Sequence, residues 1–215
     1  MIHIRKGQEP QSLIAYRKTP GATYEGYRAK DDVRRALLRD QGYLCAYCMS
    51  KISIQEMKIE HWKAQKSTDG TGERYALDYR NMLGVCKGNQ GAPHEMQTCD
   101  TYRGNADLYV DPREESHIQR IEYLADGTIY SKDNRIDQDL NQRLNLNCTQ
   151  THLKENRRAA IKTLQAFLRK EQDKGLWSAE TLIKVRNRLE VLENGQKRDY
   201  LGAMLYFIDK YLKRV

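Results

Sequence analysis

Three stripes of apolar residues in the last third of the chain predict three amphipathic helices. The stripes span residues 153–168, 182–192 and 201–212, and within each one apolar side chains recur every three or four positions. That spacing gives a helix a single apolar face, which packs against a core. Ser178 precedes the second stripe as a suitable N-cap. We therefore expect a helical carboxy-terminal subdomain over residues 148–215.

The first half of the chain has a less regular pattern. Apolar positions in residues 30–42 follow helical spacing and predict a helix. Residues 52–61 mostly alternate between apolar and polar side chains, which indicates a hairpin or an extended pair. A second hairpin is predicted where residues 118–124 and 128–131 flank an Asp-Gly turn. Residues 1–29 contain prolines and glycines and no lasting period, so we interpret them as an irregular arm that packs on the domain.

Two polar stretches interrupt this half of the chain. Residues 65–76 and 86–99 carry several glycines, and we expect loops in both. A short helix is predicted from Asp100 to about Leu108. Strand and helix signals together indicate an α+β fold, with one domain over residues 1–147 ahead of the helical subdomain.

The composition is that of a globular protein without a membrane span. Hydrophobic residues make up 39% of the 215 residues, which is enough for a core, and charged residues make up 31%. The mean hydropathy is -0.85, which predicts a strongly polar surface. No apolar run approaches the roughly 20 residues that a membrane helix needs. The amino-terminal residues lack the apolar centre of a secretory signal, so we expect a cytoplasmic protein.

The net positive charge is concentrated in the last third of the chain. The whole chain carries +8. Residues 150–215 hold 15 Lys and Arg against 8 Asp and Glu, a surplus of +7, whereas residues 1–149 hold 22 against 21, a surplus of +1. Such a surplus would attract a polyanion such as nucleic acid. Basic helix surfaces also serve solubility, and the charge pattern leaves both interpretations open.

Four of the five cysteines have the spacing of a structural zinc site. Cys45 and Cys48 are separated by two residues, a gap that brings both thiols to one side of a turn, and Cys86 and Cys99 follow downstream. An odd number of cysteines in a chain expected in the cytoplasm favours metal ligation over disulfides. Four thiolates around Zn²⁺ leave no open position, so this metal would be structural.

His94 is an alternative fourth zinc ligand. It lies between Cys86 and Cys99 and would replace one of them in a site of three cysteines and one histidine. We prefer the four-cysteine site because the two outer thiols complete the pattern without the histidine. Cys148 and His152 lack a partner at a suitable spacing, and we interpret both as structural.

Four residues beside the predicted zinc site can carry chemistry. Glu60 and His61 are adjacent, Asn81 follows after a polar loop, and Asp100 directly follows Cys99. Taken singly, each has an ordinary structural explanation: a solvated carboxylate, a hydrogen-bonded imidazole, a turn amide and a helix-start carboxylate. Their combination with paired thiols favours a site in which the imidazole of His61 is a base.

These motifs resemble the HNH endonucleases that carry an embedded four-cysteine zinc site. The family pattern is a cysteine pair, an acidic residue followed by histidine, an asparagine before a leucine, and a second cysteine pair followed by a metal-binding residue. This chain supplies that pattern with Cys45 and Cys48, Glu60-His61, Asn81, Cys86 and Cys99, and Asp100. Residues 42–48, Glu60-His61 and residues 144–147 also resemble the PtuB-like effectors of Septu and retron-associated anti-phage systems. Glu60 stands where many members have aspartate, and Asp100 stands where others have histidine or asparagine. The gap between Cys86 and Cys99 is also wide.

The resemblance implies a ββα-metal (His-Me finger) core and a nuclease mechanism. Glu60 and Asp100 would bind a catalytic divalent ion, Mg²⁺ or Mn²⁺, in addition to the structural Zn²⁺. Neutral His61 would deprotonate the attacking water, and Asn81 would hold the loop together with the orientation and tautomer of the imidazole. The implied activity is hydrolysis of phosphodiester bonds in nucleic acid, with DNA and RNA both open as substrate.

The resemblance also implies partners. PtuB-like proteins act with a PtuA-like ABC/SMC-type ATPase, and a retron reverse transcriptase with its msDNA is a further candidate partner. The carboxy-terminal helices are the expected docking surface, the polyanion surface, or both. The alternative function is a catalytically inactive, zinc-stabilised module that binds nucleic acid or serves as an adaptor for the ATPase. No membrane association is expected.

Overall fold

The computed structural model describes residues 1–172 and 176–215. Its first helix, α1 (Gln11–Arg17), lies in the segment for which the sequence predicted only an irregular arm, so that prediction was wrong at this point. The carbonyl oxygen of Pro10 accepts a hydrogen bond of 3.0 Å from the backbone N–H of Leu13 and starts the helix. Leu13 is fully buried, so the packing of one side chain holds a helix that is too short to reveal a period.

The second helix, α2 (Lys30–Gln41), lies where it was predicted. It ends at Gly42, whose φ of 63° is left-handed, the conformation in which many helices stop. The buried side chain of Gln41 then exchanges hydrogen bonds of 2.7 Å with the backbone N–H and carbonyl of Gly84. This exchange ties the end of α2 to a distant part of the chain, which lies in the first sheet.

That sheet has two antiparallel strands. β1 (Met57–His61) pairs with β2 (Met82–Cys86) in a register that places the ends of the two strands opposite each other. The predicted extended segment is confirmed only from residue 57 onward, because residues 54–56 form a turn. The connection over residues 62–81 is a loop that contains two short 3-10 turns, Gly72–Tyr75 and Tyr79–Asn81.

A short helix, α3 (Cys99–Arg103), packs against β2. The sequence predicted a helix from Asp100 to about Leu108, so the predicted length was wrong. The helix stops because Gly104 follows with a φ of 58°, outside the helical region. One turn of helix is nevertheless enough to hold Asp100 beside the sheet.

The second hairpin is confirmed with shorter strands than predicted. β3 (Ile121–Tyr123) pairs with β4 (Ile129–Ser131). The helix α4 (Glu115–Ile118) ends where the first strand was expected to begin. After the hairpin, α5 (Asn134–Gln138) continues into a π-helical turn, Asp139–Arg143.

The three predicted carboxy-terminal helices are all present. They are α6 (Leu153–Glu171), α7 (Ala179–Glu190) and α8 (Leu201–Leu212). Ser178 caps α7 as predicted, since its hydroxyl oxygen accepts a hydrogen bond of 3.2 Å from the backbone N–H of Thr181. The helices pack on one another, and α8 also packs against β3.

The hydrophobic core is continuous between the sheets and the carboxy-terminal helices. At the start of α8, the backbone N–H of Tyr200 donates to the carbonyl oxygen of Met49 at 3.0 Å, and the N–H of Gly202 lies 3.2 Å from the Met49 sulfur atom. Met49 directly follows Cys48, so α8 packs on the cysteine-bearing turn. The described residues thus form an α+β fold, and none of the helices within them is both long and apolar enough to cross a membrane.

Candidate metal centre and active site

The four predicted cysteine ligands converge at one point. The sulfur atom of Cys45 lies 3.9 Å from that of Cys99. The sulfur atom of Cys86 lies 3.7 Å from that of Cys48 and 3.7 Å from that of Cys99. In a tetrahedral site with Zn–S distances of about 2.3 Å, the sulfur atoms are about 3.8 Å apart. The predicted convergence of the four thiols is confirmed, and its geometry fits a zinc ion.

Three separate elements supply these ligands. Cys45 and Cys48 lie on a turn between α2 and β1, in which the N–H of Met49 donates to the carbonyl oxygen of Cys45 at 3.0 Å. Cys86 ends β2 and Cys99 begins α3. A metal ion at this point would therefore join the turn, the sheet and the helix.

The alternative ligand His94 has a different environment. Its ring stacks on that of Tyr102, with the ring centroids 4.4 Å apart. Within residues 1–172 and 176–215, the four cysteines are the only group of three or more metal-ligating side chains whose ligand atoms lie within 4.8 Å of one another. The geometry thus favours the four-cysteine set over a set that includes His94.

Glu60 is buried in a hydrogen-bond network beside this cluster. Its side-chain oxygen Oε1 accepts from the guanidinium of Arg103 and, at 3.2 Å, from the hydroxyl of Tyr47. Arg103 also donates to the carbonyl oxygens of Trp62 and Ala106, each at 2.6 Å. Arg103 therefore holds both the carboxyl group of Glu60 and the chain that leaves β1.

Asp100 lies beside Glu60 and forms an ion pair with Lys58. Burial raises the pKa of Glu60 well above its usual value, a hydrogen bond with Asp100 adds to that shift, and Arg103 opposes it. Burial alone would also raise the pKa of Asp100, but hydrogen bonds with Glu60 and Lys58 outweigh it and lower the pKa. The pKa of Glu60 is therefore raised and that of Asp100 lowered, so Asp100 is the more acidic of the two carboxyl groups.

The imidazole of His61 is held by two neighbours. Its Nε2 lies 2.9 Å from the carbonyl oxygen of Ala76, and because a carbonyl only accepts, this nitrogen carries a hydrogen atom. The ring of Tyr24 meets the imidazole edge-on, with centroids 4.5 Å apart. Burial lowers the pKa of His61, while the hydrogen bond to Ala76 and the charge of Asp100 oppose that shift. The neutral ring keeps Nδ1 as a proton acceptor.

Asn81 holds the loop between β1 and β2. Its Oδ1 accepts from the backbone N–H of Lys63 at 2.8 Å, and its Nδ2 donates to the carbonyl oxygens of Lys63 at 3.0 Å and Tyr75 at 3.3 Å. The sequence assigned the tautomer of His61 to Asn81, but the ring donates to the Ala76 carbonyl instead. Since Ala76 follows Tyr75, the asparagine acts on the imidazole through the loop.

Two charged neighbours of the site were missed although the sequence carried a signal for each. Lys58 lies two residues before Glu60 and therefore on the same face of β1. Arg103 lies one helical turn after Asp100 and therefore on the same side of α3. Both pair with the candidate carboxyl groups.

Two further neighbours gave no signal in the sequence. Tyr24 belongs to the amino-terminal arm and Ala76 contributes only its backbone carbonyl. Every residue has a carbonyl group, and an aromatic residue in an irregular arm is most often a packing residue. Only the folded chain brings both against His61.

The fold and the site define an α+β protein with a four-cysteine cluster that can hold a metal and, on β1 and α3, a buried histidine and two carboxyl groups. No family model matches the chain. The "Retron Ec83 putative HNH endonuclease" of Escherichia coli is 30% identical over 120 residues, which cover 49% of this chain and 46% of that protein. The "Retron Vc95 putative HNH endonuclease" of Vibrio cholerae serotype O1 biovar El Tor is 29% identical over 137 residues, covering 60% of this chain and 65% of that protein.

Both relatives support the assignment to HNH endonucleases that the sequence motifs indicated. The chain spans about half the length of the first relative, 46%, and less than two thirds of the second, 65%. The resemblance to HNH proteins thus rests on two observations, the motif set and the overall sequence similarity.

Proposed function

We propose that this chain is a metal-dependent HNH endonuclease that hydrolyses phosphodiester bonds in nucleic acid. The observation that carries the proposal is the state of His61, whose Nε2 is tied to Ala76 while Nδ1 can accept a proton. The charge of Asp100 acts on the imidazole, and Glu60 directly precedes His61 in β1. The similarity to two relatives named as HNH endonucleases supports the same function.

In the proposed reaction, Nδ1 of His61 takes a proton from the water that attacks the phosphate. Burial keeps the imidazole neutral by lowering its pKa, so the base is ready near neutral pH. Glu60 and Asp100 would hold Mg²⁺ or Mn²⁺, which supplies Lewis-acid stabilisation of the charge that develops on the phosphate. Arg103 and Lys58 keep the two carboxyl groups in position.

The donor set suits a hard divalent cation. Carboxylate oxygens are the ligands that Mg²⁺ and Mn²⁺ prefer, whereas thiolates suit zinc. The two carboxyl groups influence each other's pKa, and burial raises that of Glu60. A cation bound by Glu60 would displace a proton from it, so metal binding is expected to strengthen as pH rises.

The ββα-metal architecture is part of the proposal. β1 ends with Glu60 and His61, Asn81 lies directly before β2, and Asp100 lies on α3. Two antiparallel strands followed by a helix are the elements that this architecture requires. Their order in the chain, with candidate residues on β1, directly before β2 and on α3, supports the assignment.

To test this function, the purified chain is incubated with supercoiled plasmid and with total RNA. Each substrate is incubated with Mg²⁺, with Mn²⁺ and with EDTA, and the zinc content is measured after each incubation. We expect EDTA to stop the cleavage and added Mg²⁺ to restore it. His61→Ala should strongly reduce the cleavage rate, and the control His152→Ala should retain it, since His152 is exposed and lies outside the site. Intact DNA and RNA in every reaction, also with an ATPase partner present, would favour the inactive binding or adaptor module.

We further propose that an ABC/SMC-type ATPase docks on the carboxy-terminal subdomain, residues 148–215, and controls the nuclease in anti-phage defence. The word retron in the names of both relatives supports a retron context, with a reverse transcriptase and its msDNA as further partners. Apolar side chains on and around α7 support a docking surface, because they stay exposed in the chain alone; they are Leu176, Ile183, Val191 and Leu192.

Surface substitutions test this docking more sharply than truncation. A chain cut after residue 147 would lose α8, which packs on β3 and on Met49. Ile183 and Val191 are 49% and 61% exposed, so Ile183→Asp with Val191→Asp should fold normally and lose the ATPase in co-purification. Leu124→Asp is the matched control, since Leu124 is 46% exposed on the β3–β4 turn. Undiminished co-purification of the double variant would contradict this surface.

A further inference from the structure

Arg157 on α6 is a buried cation without a carboxylate partner. The residue is only 1% exposed. Nε donates to the carbonyl oxygen of Gly127 at 2.6 Å, and Nη2 donates to the carbonyl oxygen of Leu146 and to Oδ1 of Asn147, both at 2.9 Å. All three acceptors are neutral, Nη1 has no hydrogen-bond partner, and no carboxylate of residues 1–172 or 176–215 lies within 4.0 Å of the guanidinium.

A buried guanidinium in such surroundings is unfavourable. Removing a charge from water is compensated only when an opposite charge lies close enough in the interior, where the dielectric screening is weak. Neutral carbonyl oxygens satisfy hydrogen bonds but supply no net charge. A buried Arg157 therefore needs a negatively charged group nearby.

Two series of hydrogen bonds connect the surroundings of Arg157 to the backbone of the cysteine cluster. Leu146, which accepts from Arg157, lies two residues after Leu144, whose carbonyl oxygen accepts from the N–H of Cys99 at 2.8 Å. On the other side, Asn156 donates to the Tyr200 hydroxyl at 3.0 Å, and the N–H of Tyr200 donates to Met49 beside Cys48. The start of α6 is thus fastened to both the first and the last part of the cluster.

The groups that act electrostatically on Arg157 also include cysteines of the cluster. Burial lowers the pKa of Arg157, and interactions with Tyr123, Cys48, Tyr200 and Cys99 oppose that shift. None of these four contributors is an aspartate or a glutamate. Two of the four contributors are cysteines of the cluster, and both tyrosines are neutral hydroxyls near pH 7, since burial raises the pKa of Tyr200 to about 12 and that of Tyr123 still further.

Four thiolates around one divalent ion carry a formal charge of two negative units. We propose that Arg157 is the counter-cation of the four-cysteine metal centre and that α6 thereby helps to retain the metal. The inference deepens the zinc assignment and does not depend on nuclease activity. It gives the carboxy-terminal helices a structural role at the metal centre in addition to any partner they bind.

If Arg157 is the counter-cation, its contribution to the stability of the folded chain must depend on whether zinc is bound. With zinc bound, the guanidinium faces a dianionic centre and stabilises it. Without zinc, thiols take up protons and lose that charge, so the same guanidinium is buried without compensation. A purely structural arginine would contribute equally to both forms, because its hydrogen bonds to Gly127 and Leu146 involve no metal ligand.

The test compares Arg157→Gln, which is neutral and keeps a hydrogen-bond donor, with Arg157→Lys, which keeps the charge. Leu164→Ala is the control, since Leu164 is fully buried on the same helix and carries no charge. Equilibrium competition with a chromophoric chelator gives the zinc affinity of each full-length variant. Urea unfolding of the zinc-loaded and zinc-stripped forms gives the dependence of stability on metal.

We expect Arg157→Gln to weaken zinc binding by about 10-fold or more, as for loss of an outer-sphere partner of a metal ligand, and Arg157→Lys to weaken it less. Leu164→Ala should destabilise the zinc-loaded and the zinc-stripped chain alike.

Equal zinc affinities for Arg157→Gln and the wild-type chain, or equal losses of zinc affinity for Arg157→Gln and Arg157→Lys, would overturn the proposal. If Arg157→Gln yields no folded protein, a folded Arg157→Lys with a full zinc complement supports the proposal, and failure of both overturns it. These readouts measure zinc, so they are independent of whether the chain cleaves nucleic acid.

Discussion

The imidazole of His61 donates from Nε2 to the carbonyl oxygen of Ala76 at 2.9 Å. This contact ties the candidate base to the loop between β1 and β2. Asn81 holds the same loop through the carbonyl of Tyr75 at 3.3 Å, so the loop conformation and the proton position on the imidazole are coupled. A base whose tautomer is set by a partner of its other ring nitrogen is ready before a substrate arrives.

We expect His61→Ala to lower the cleavage rate by about 10²-fold or more, the usual contribution of a general base. Zinc content should stay unchanged, because His61 is not part of the thiol cluster. Plasmid cleavage and elemental analysis measure the two quantities on the same preparation. Cleavage at the wild-type rate would contradict the role of His61.

A second variant separates the lost base from lost packing. His61 is only 8% exposed, so alanine leaves a gap beside Tyr24 that lowers the melting temperature somewhat. His61→Gln fills more of that space and cannot act as a base near neutral pH. Both variants should be equally inactive, whereas a rate that follows the melting temperature would mean that packing explains the loss.

Asp100→Ala should also lower cleavage, through loss of a divalent-ion ligand. Raised Mg²⁺ should therefore restore part of the rate for Asp100→Ala and none of it for His61→Ala. Asp126→Ala is the matched control, because it also removes a carboxylate paired with a lysine, Lys154, but lies on the exposed β3–β4 turn outside the site. Cleavage rates across a Mg²⁺ titration check this; identical rescue of Asp100→Ala and His61→Ala would contradict their separate roles.

Cys45→Ser should lose the zinc and with it the fold, since structural zinc contributes folding free energy directly. The control is Cys148→Ser. Cys148 is 6% exposed and thus equally a buried thiol, but it donates to the carbonyl oxygen of Glu95 at 3.3 Å and lies outside the cluster. Elemental analysis and circular dichroism distinguish the two variants; a well-folded, metal-free Cys45→Ser protein would count against a structural metal.

The elements that the sequence predicted well are those held by local patterns. α6, α7 and α8 each repeat their apolar positions over several turns, so tertiary packing agrees with the period. The cysteine cluster was also predictable, because four ligands of one ion must converge wherever they lie in the chain. α1 was missed because its stability comes from the burial of a single side chain, Leu13.

The parts of the site that escaped prediction depend on contacts between distant segments. The pairing of β1 with β2 crosses a loop over residues 62–81, and no apolar pattern encodes which strands meet. When β1 and β2 have paired, the loop between them places Ala76 against the His61 ring, and the amino-terminal arm places Tyr24 against the same ring. A motif names the reacting side chains, but their positioning groups become visible only in the folded chain.

The contact between Tyr24 and His61 predicts a change in the pH profile. The Tyr24 ring covers the imidazole edge-on at 4.5 Å between centroids, and the ammonium group of Lys30 lies 4.4 Å from the centroid of the Tyr24 ring. Tyr24→Ala should open His61 to water and move its lowered pKa upward, toward the usual value of about 6.5. Activity needs the neutral base, so the acid limb of the rate profile should shift to higher pH.

Tyr24→Phe is the matched control for that profile. It keeps the ring against His61 and removes only the hydroxyl group, so its acid limb should coincide with that of the wild-type chain. The measurement is the cleavage rate as a function of pH for the three proteins. An unshifted acid limb in Tyr24→Ala would mean that the arm does not control the environment of the base.

The last prediction concerns Lys6, which joins the amino-terminal arm to the start of β2. Its ammonium group donates to the carbonyl oxygen of Met82 at 2.8 Å, lies 3.6 Å from the ring centroid of Tyr79 and 3.9 Å from Oδ2 of Asp40. Burial lowers the pKa of Lys6 from 10.5 to about 7, and the charge of Asp40 opposes only part of that shift.

The lowered pKa of Lys6 sets the sign of a stability change with pH. Between about pH 7 and pH 10.5 the unfolded chain holds a proton on Lys6 that the folded chain has released, so the free energy of unfolding should rise with pH across this window. Each unit of pKa shift corresponds to about 1.4 kcal/mol, and below the window the full penalty of the buried charge remains. Lys6→Met removes the titrating group while keeping most of the buried volume. Urea unfolding of both proteins at several pH values measures their free energies of unfolding. The value for the wild-type chain minus that for Lys6→Met should increase as pH rises. A difference that stays constant from pH 7 to pH 10.5 would mean that Lys6 titrates normally in the folded chain.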